Sequence, residues 1–142
     1  IAINYPIEQV SANGTLAGFE QVIPALDADK LEMRNRIKAE RDRRKLNGVL
    51  VAGKWIHTDV FSRTQWMAMV MMGASIPAIS WTTMDGTQVT TSQALAGGVF
   101  SAVATLDATV FAVAASHIAA MEASDNPMGY DFSAGWPATF GG

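Results

Sequence analysis

Side chains that commonly carry catalysis are sparse in this sequence. The histidines are His57 and His117, and the chain has no cysteine, so a cysteine nucleophile, a thiolate metal site and a disulfide framework are excluded. His57, Asp59 and Ser62 are the residue types of a hydrolytic triad, but residues this close along one strand-to-helix turn rarely converge in triad geometry. Asp59 is better explained as a helix N-cap, and both histidines as structural residues. The sequence therefore predicts a protein that is not an enzyme.

Metal and cofactor sites also lack their usual spacing. A hairpin and two helices are predicted between the histidines, which is not the spacing of a zinc site, and no acidic pair with metal-ligand geometry can be inferred. Gly48, Gly53 and the Gly97-Gly98 pair fit neither the dinucleotide-binding nor the phosphate-loop pattern. We therefore expect no catalytic metal, no cofactor and no small-molecule substrate.

Basic side chains are concentrated in one segment. Eight of the ten lysines and arginines lie between Lys30 and Lys45, in a chain whose formal net charge is -3. Five acidic residues lie in residues 27–45, which include this segment, and no aromatic residue is interleaved to stack a base. The pattern therefore favours a solvated, ion-paired helix face. A nucleic-acid-binding module remains a minor alternative, led by Arg41, Arg43, Arg44 and Lys45.

The first predicted helix and hairpin follow from local patterns. Apolar residues at helical spacing, with charged residues between them, predict a helix over residues 27–46, capped by Asp27 and stopped by Asn47-Gly48. The residues expected on its apolar side are Leu26, Met33 and Ile37. Two short β-prone runs around Ala52-Gly53 then predict a tight hairpin over residues 48–58.

A second helix, capped by Asp59, is predicted over residues 60–75. It is apolar nearly all round from Trp66 to Met72, so we expect it to be buried on more than one face. Its methionines are assigned to core packing, with an adaptable binding surface as the alternative; they are Met67, Met69, Met71 and Met72.

The second half of the chain predicts a hairpin and a long helix. Asp85-Gly86 favours a type I′ turn within a hairpin over residues 79–91. Thr91 or Ser92 then caps a helix that runs to about Ala123. Its predicted apolar stripe is Leu95, Val99, Val103, Leu106, Val110, Val113, His117 and Met121. A membrane span is not favoured, because Pro77 breaks residues 64–84 and Asp107 lies near the centre of residues 94–121.

The chain length and composition fit one small domain with two flanking arms. The sequence predicts an α+β domain of three helices with two short β-hairpins at residues 26–124, between an extended N-terminal arm or linker at residues 1–25 and an irregular C-terminal docking arm at residues 125–142. We expect the C-terminal arm to be ordered only where its rings find a groove, and we assign partner binding to Tyr130, Phe132, Trp136 and Phe140. Charged residues make up 16% of the chain against about 25% in typical soluble domains, which favours a subunit that shares apolar surface with partners.

An ordered series of short motifs resembles a known family. The series contains Glu40-Arg-Asp-Arg-Arg44, Gly48-Val-Leu-Val51, Gly53-Lys-Trp-Ile-His-Thr-Asp59, Ser62-Arg63, Trp81-Thr82 and Asp85-Gly86, ahead of the alanine-rich helix that contains His117. It resembles, over residues 26–123, a domain of uncharacterised biochemical function found in tail-fibre, fibre-assembly and baseplate-associated proteins of tailed bacteriophages. The segment from Tyr130 to Pro137 resembles the ends of such proteins.

The resemblance implies a location in the virion, in the phage tail, and an assembly role without an active site. The expected function is a structural or assembly component of the tail that acts by protein-protein binding. Its expected partners are other tail, fibre or baseplate proteins and further copies of itself, whereas nucleic acid and membrane are not favoured. The alternatives are a tail-fibre assembly chaperone, which would be absent from finished particles, and the nucleic-acid-binding module described above.

Overall fold

A computed structural model describes residues 25–142 of the chain. The elements in chain order are α1 (Ala25–Lys45), β1 (Val49–Val51), β2 (Lys54–Ile56), α2 (Val60–Met72), β3 (Ser80–Thr82), β4 (Gln88–Thr90) and α3 (Gln93–Glu122), with short 3-10 turns at Gly73–Ser75 and Pro127–Gly129. The predicted α+β fold of three helices and two short antiparallel hairpins is confirmed. The predicted N-terminal arm, residues 1–25, lies outside the described residues except for Ala25.

The helix caps follow from residues with short polar side chains. The Asp59 carboxylate accepts hydrogen bonds from the backbone N–H and the hydroxyl of Ser62, at 3.0 and 2.7 Å, and so caps α2 as predicted. Ser92 caps α3 by accepting from the N–H of Leu95 at 3.0 Å. Asp27 was expected at the N-cap of α1 but lies inside its first turn, because the helix begins at Ala25. Its carboxylate still lies at the positive end of the helix dipole.

The two hairpins use different turns. Ala52 and Gly53 both have positive φ, at 51° and 78°, which is the two-residue turn that suits the twist of paired strands. The type I′ prediction for Asp85-Gly86 was wrong, because only Gly86 has positive φ and its N–H bonds to the carbonyl of Thr83 at 3.0 Å. The Asp85 carboxylate accepts from Thr83 and Thr87 in this loop, and these donors hold the pKa of Asp85 below its ordinary value.

The core is organised along α3, which packs against α1, α2 and β1. Its first half contributes to a cluster with α2 and the first hairpin, made of Val49, Ile56, Trp66, Met69, Ala96, Val99, Leu106 and Val110. Its second half packs on α1 through Met33, Ile37, Ala114 and Met121. The predicted position Leu26 is exposed, and Leu95, Val103, Val113 and His117 of the predicted stripe are only half-buried.

Arg63 joins the helices at the middle of the domain. Its guanidinium donates to both Asp107 carboxylate oxygens, at 2.8 and 3.0 Å. It also donates to two backbone carbonyls, those of Thr58 at 2.6 Å and Lys45 at 2.7 Å. This pairing explains an acidic residue near the centre of the apolar helix α3, because bidentate contact with an arginine offsets the cost of placing a carboxylate there.

The burial predicted for α2 was wrong. Only Ser62, Trp66 and Met69 of this helix are buried, so a single face reaches the core. The helix packs on α3 by that face, and its opposite side is not covered by any residue in the described range 25–142. Met67, Met71 and Met72 are exposed, which contradicts their assignment to core packing; Met69 is the one methionine of the four that is buried.

Candidate interaction surfaces

The C-terminal segment, residues 125–142, folds back onto the domain. Tyr130, Phe132 and Trp136 pack against the cluster between α1 and α3. Phe140 contacts the ring of Trp55 edge-on, with 6.3 Å between ring centroids. All four predicted partner-binding rings are therefore half-buried against their own domain, and partner binding by these rings stays a prediction.

Hydrogen bonds fasten this segment to α1 and to the residues that follow it. The backbone N–H of Phe140 donates to the backbone carbonyl of Asn47, and the side-chain amide of Asn47 donates to the backbone carbonyl of Phe140, each at 3.0 Å. Arg44 donates to the carbonyl of Pro137 at 3.0 Å and lies 5.6 Å from the Trp136 ring centroid, within cation–π range. The groove expected for the rings is thus supplied by the chain itself.

His117 is held between two parts of the C-terminal segment. Its Nε2 lies 2.7 Å from the carbonyl oxygen of Ala134, which can only accept, so Nε2 carries the hydrogen. In the neutral ring Nδ1 then accepts from the Tyr130 hydroxyl at 2.8 Å. Trp136 lies beside the same imidazole at 5.6 Å between centroids. These contacts occupy both ring nitrogens of His117 in positioning the C-terminal segment.

The possible hydrolytic triad is not assembled. The Ser62 hydroxyl donates to Asp59, and no hydrogen bond joins it to His57 among the described residues. The Ser62 backbone N–H and hydroxyl hold the pKa of Asp59 below its ordinary value, as expected for a carboxylate that caps a helix. Within residues 25–142 no group of three or more histidine, aspartate or glutamate side chains is arranged to hold a metal ion.

The charged face of α1 is largely occupied by ion pairs. Glu40 contacts both Arg43 and Arg44, and the hydrogen bond from Arg43, followed by that from Arg44, lowers the pKa of Glu40 to about 2. Further pairs on this helix are Arg36 with Glu32, Arg41 with Asp42, and Arg34 with Glu122 of α3. Because these guanidinium groups already have acidic partners, the segment is a poor surface for tracking phosphates.

A second surface, which we call the outer face, is apolar and uncovered among residues 25–142. It consists of Val60, Phe61, Met67 and Met71 of α2 and Phe100 of α3, which are between 48% and 84% exposed. Val60, Met67 and Met71 are separated by seven and four residues, so their side chains lie on one side of α2. The outer face therefore has the pattern of an interface.

A groove between α2 and α3 borders the outer face, with which it shares Met67 and Phe100. It has a volume of about 250 Å³ and is lined mainly by Trp66, Met67, Val99, Phe100, Val103 and Ala104. The Arg63–Asp107 pair also lines it, and those two charges are bonded to each other. The floor is apolar and its charges are paired, so the groove suits an apolar side chain better than a polar ligand.

The solvent side of α3 extends the uncharged surface beyond the groove. Asp107 is the only charged residue between Gln93 and Ala120, and the exposed positions include Gly97, Ala104, Ala108 and Ala115. Within the described part of the chain α3 is the one helix long and apolar enough to cross a membrane, yet one of its faces is packed against α1, α2 and β1. Only 22% of its most apolar 18-residue window is buried. Up to Ala120, the exposed side of α3 is therefore uncharged apart from Asp107, and a second apolar surface could pack on it.

The sequence offered Met67 and Met71 of the outer face only as the alternative to core packing, within a possible adaptable binding surface. An all-round apolar helix has either a second intramolecular neighbour or an external one, and the number of neighbours depends on the packing of the whole chain. The exposed Phe61 was not singled out at all, because a lone aromatic residue in the first turn of a helix has no distinctive pattern.

One comparison with known proteins gives a match. A family model described as a domain of unknown function, DUF4376, matches residues 28–134. No curated protein and no solved structure matches the chain significantly. The matched range contains all three helices almost entirely, together with both hairpins and the segment that carries Tyr130 and Phe132.

Proposed function

The chain belongs to the family of the domain of unknown function DUF4376, and we propose that it is a structural or assembly component of a bacteriophage tail that acts by protein-protein binding. The protein would be a subunit of the tail fibre or of the baseplate region, located in the virion. Its partners would be other tail, fibre or baseplate proteins and further copies of itself.

The observation that carries the binding role is the outer face. Phe61 and Met71 are more than four-fifths exposed, and Met67 and Phe100 of the same face line an apolar groove. Monomeric soluble proteins rarely expose contiguous apolar patches larger than a few hundred Å², and larger ones mark sites of association. Methionine side chains are flexible and polarisable, so a ridge that contains Met67 and Met71 can adapt to the shape of a partner.

Support for the tail location comes from the resemblance of the sequence to the phage-tail domain. That resemblance includes residues that the fold uses structurally: Asp59 as the helix cap, Arg63 as the central ion-pair donor, and Gly53 and Gly86 in the turns. The roles of these residues are structural, so the resemblance concerns the fold and not a reaction. We propose accordingly that the protein works without catalysis, cofactor or small-molecule substrate.

A nucleic-acid-binding role through α1 is the less favoured alternative. This helix carries five acidic residues against eight basic ones, and the Glu40 carboxylate alone contacts two arginines. Titration of the purified chain with duplex and single-stranded DNA at low ionic strength tests this alternative. Binding that weakens steeply with added salt would support it, because each released counterion contributes to the salt dependence.

The tail role is tested in a phage that encodes this chain. Particles purified on a density gradient are analysed by quantitative mass spectrometry for the wild-type chain, the Met71→Lys variant and the matched control Leu31→Lys. Leu31 is an exposed apolar residue of α1, remote from the outer face, so the control adds the same charge elsewhere. We expect fixed stoichiometry for the wild type and the control, and about tenfold less Met71→Lys in particles.

Two outcomes would change the proposal. A wild-type chain that is required for infectious particles but absent from them would establish the assembly chaperone instead. A chain that is neither present in particles nor required for their formation would remove the tail role altogether.

A further inference from the structure

We propose that the outer face is covered by a second copy of this chain, with the α2 ridge of each copy seated in the groove between α2 and α3 of the other. The inference rests on the proposed function, since it identifies one partner of a tail subunit. It is nevertheless tested on the purified chain and does not depend on where the protein is found.

The exposed apolar area is of the size that a stable contact needs. The five side chains of the outer face together expose on the order of 600 Å², given the 150–250 Å² that an aromatic side chain contributes when buried. A standard interface buries about 800 Å² per partner, and its centre is apolar with a polar rim. The outer face with the adjoining rim of the groove approaches that area without any further element.

The face contains both halves of a complementary contact. Met67 and Met71 form a ridge along the exposed side of α2, and the groove of about 250 Å³ lies immediately beside it. A two-fold contact requires one surface to carry both the projecting and the receiving part, since each copy presents the same patch. Ala104 borders the groove and is small, which leaves room for the backbone of a second helix to approach.

The distribution of charge favours the outer face for self-association and disfavours the surface of α1. The charged residues at the groove are Arg63 and Asp107, which are bonded to each other, so two copies meet there without like-charge repulsion. Residues 27–45 of α1, by contrast, carry eight bases against five acids. Two copies that met through α1 would bring two positive surfaces together. The second copy is therefore a better occupant of the outer face than of any surface on α1.

The experiment measures the mass of the purified full chain by size-exclusion chromatography with light scattering. We expect the wild type and the control Leu31→Lys to have twice the 15.1 kDa chain mass. Met71→Lys places a charge on the ridge, and Ala104→Arg fills the groove while keeping a good helix former. Each should raise the dissociation constant about 30-fold or more with an unchanged circular dichroism spectrum.

A dimer that persists in both Met71→Lys and Ala104→Arg would overturn the assignment of the face. A wild-type chain that stays monomeric up to about 100 μM, a weak-affinity limit, would overturn the second copy as the occupant.

The cysteine-free sequence allows the cause of a monomer to be identified with Met71→Cys. Slow labelling of this residue by a maleimide would mean that residues 1–24 cover the face. Rapid labelling that phosphatidylcholine vesicles suppress would mean a membrane surface. Either result overturns the dimer, whereas a dimer found together with particles that lack the protein overturns only the tail role.

Discussion

Helices α1 and α2 both pack one face on α3, but they differ in what the opposite face carries. The opposite face of α1 is charged, and its arginines are paired with acids of the same helix. The opposite face of α2 carries Val60, Phe61, Met67 and Met71. The charged face of α1 is stable in water, whereas the outer face of α2 leaves large apolar side chains in water unless a second surface covers it. This difference is the reason that we propose the outer face, and not α1, as the interface.

The largest expected effect tests the inner face of α2. Trp66 is 2% exposed and lies 4.7 Å from the Trp81 ring between centroids. Trp66→Ala should lower the free energy of unfolding by about 3–5 kcal/mol, because it removes a large buried side chain and leaves a cavity. Urea denaturation measures the loss, and Leu31→Ala, at an exposed position, should stay within about 0.5 kcal/mol of the wild type. Equal losses in the two variants would mean that the inner face is not the one that holds α2.

A smaller effect tests how the C-terminal segment packs against α1 and α3. Trp136 is half-buried, and its indole N–H donates to the carbonyl of Phe132 at 2.7 Å. Trp136→Ala should reduce the free energy of unfolding by about 2 kcal/mol, less than at Trp66 because part of the ring is already in water. Trp136→Phe should recover part of that loss by restoring a ring without the indole donor. No change in the alanine variant would show that the segment contributes nothing to the stability of the domain.

The smallest effect tests the charged face of α1 through pH. Glu40 has a pKa lowered from 4.5 to about 2 by its arginine partners. A lowered folded-state pKa stabilises the fold above the unfolded pKa, and this contribution is lost as the pH falls through the folded value. Glu40→Gln should therefore cost about 1 kcal/mol at pH 7, the usual size for a partly exposed pair. The gap to the wild type should close between about pH 4.5 and pH 2 in acid unfolding curves; a gap that does not depend on pH would exclude the ion pairs as its source.

The elements could be predicted from the sequence because their signals are local. Asp59 and Ser92 cap helices through backbone groups only three residues away, and Ala52-Gly53 makes its turn within one hairpin. Burial on the two sides of α2 is not local, since it depends on how many elements the finished fold places there. The same is true of the C-terminal rings: their residue types were evident, but the bond from Arg44 to Pro137 spans 93 residues and leaves no trace in a sequence pattern.

Arg63 has a consequence for how the domain comes apart. Its guanidinium bonds to the carbonyl of Lys45 at the end of α1, to the carbonyl of Thr58 before α2, and to Asp107 within α3. Detaching any one of these segments leaves a partly buried cation with unfilled donors, which costs more than the lost contact alone. Local opening of α1 or α2 is thereby discouraged, and the described domain should lose its structure as one cooperative unit rather than helix by helix.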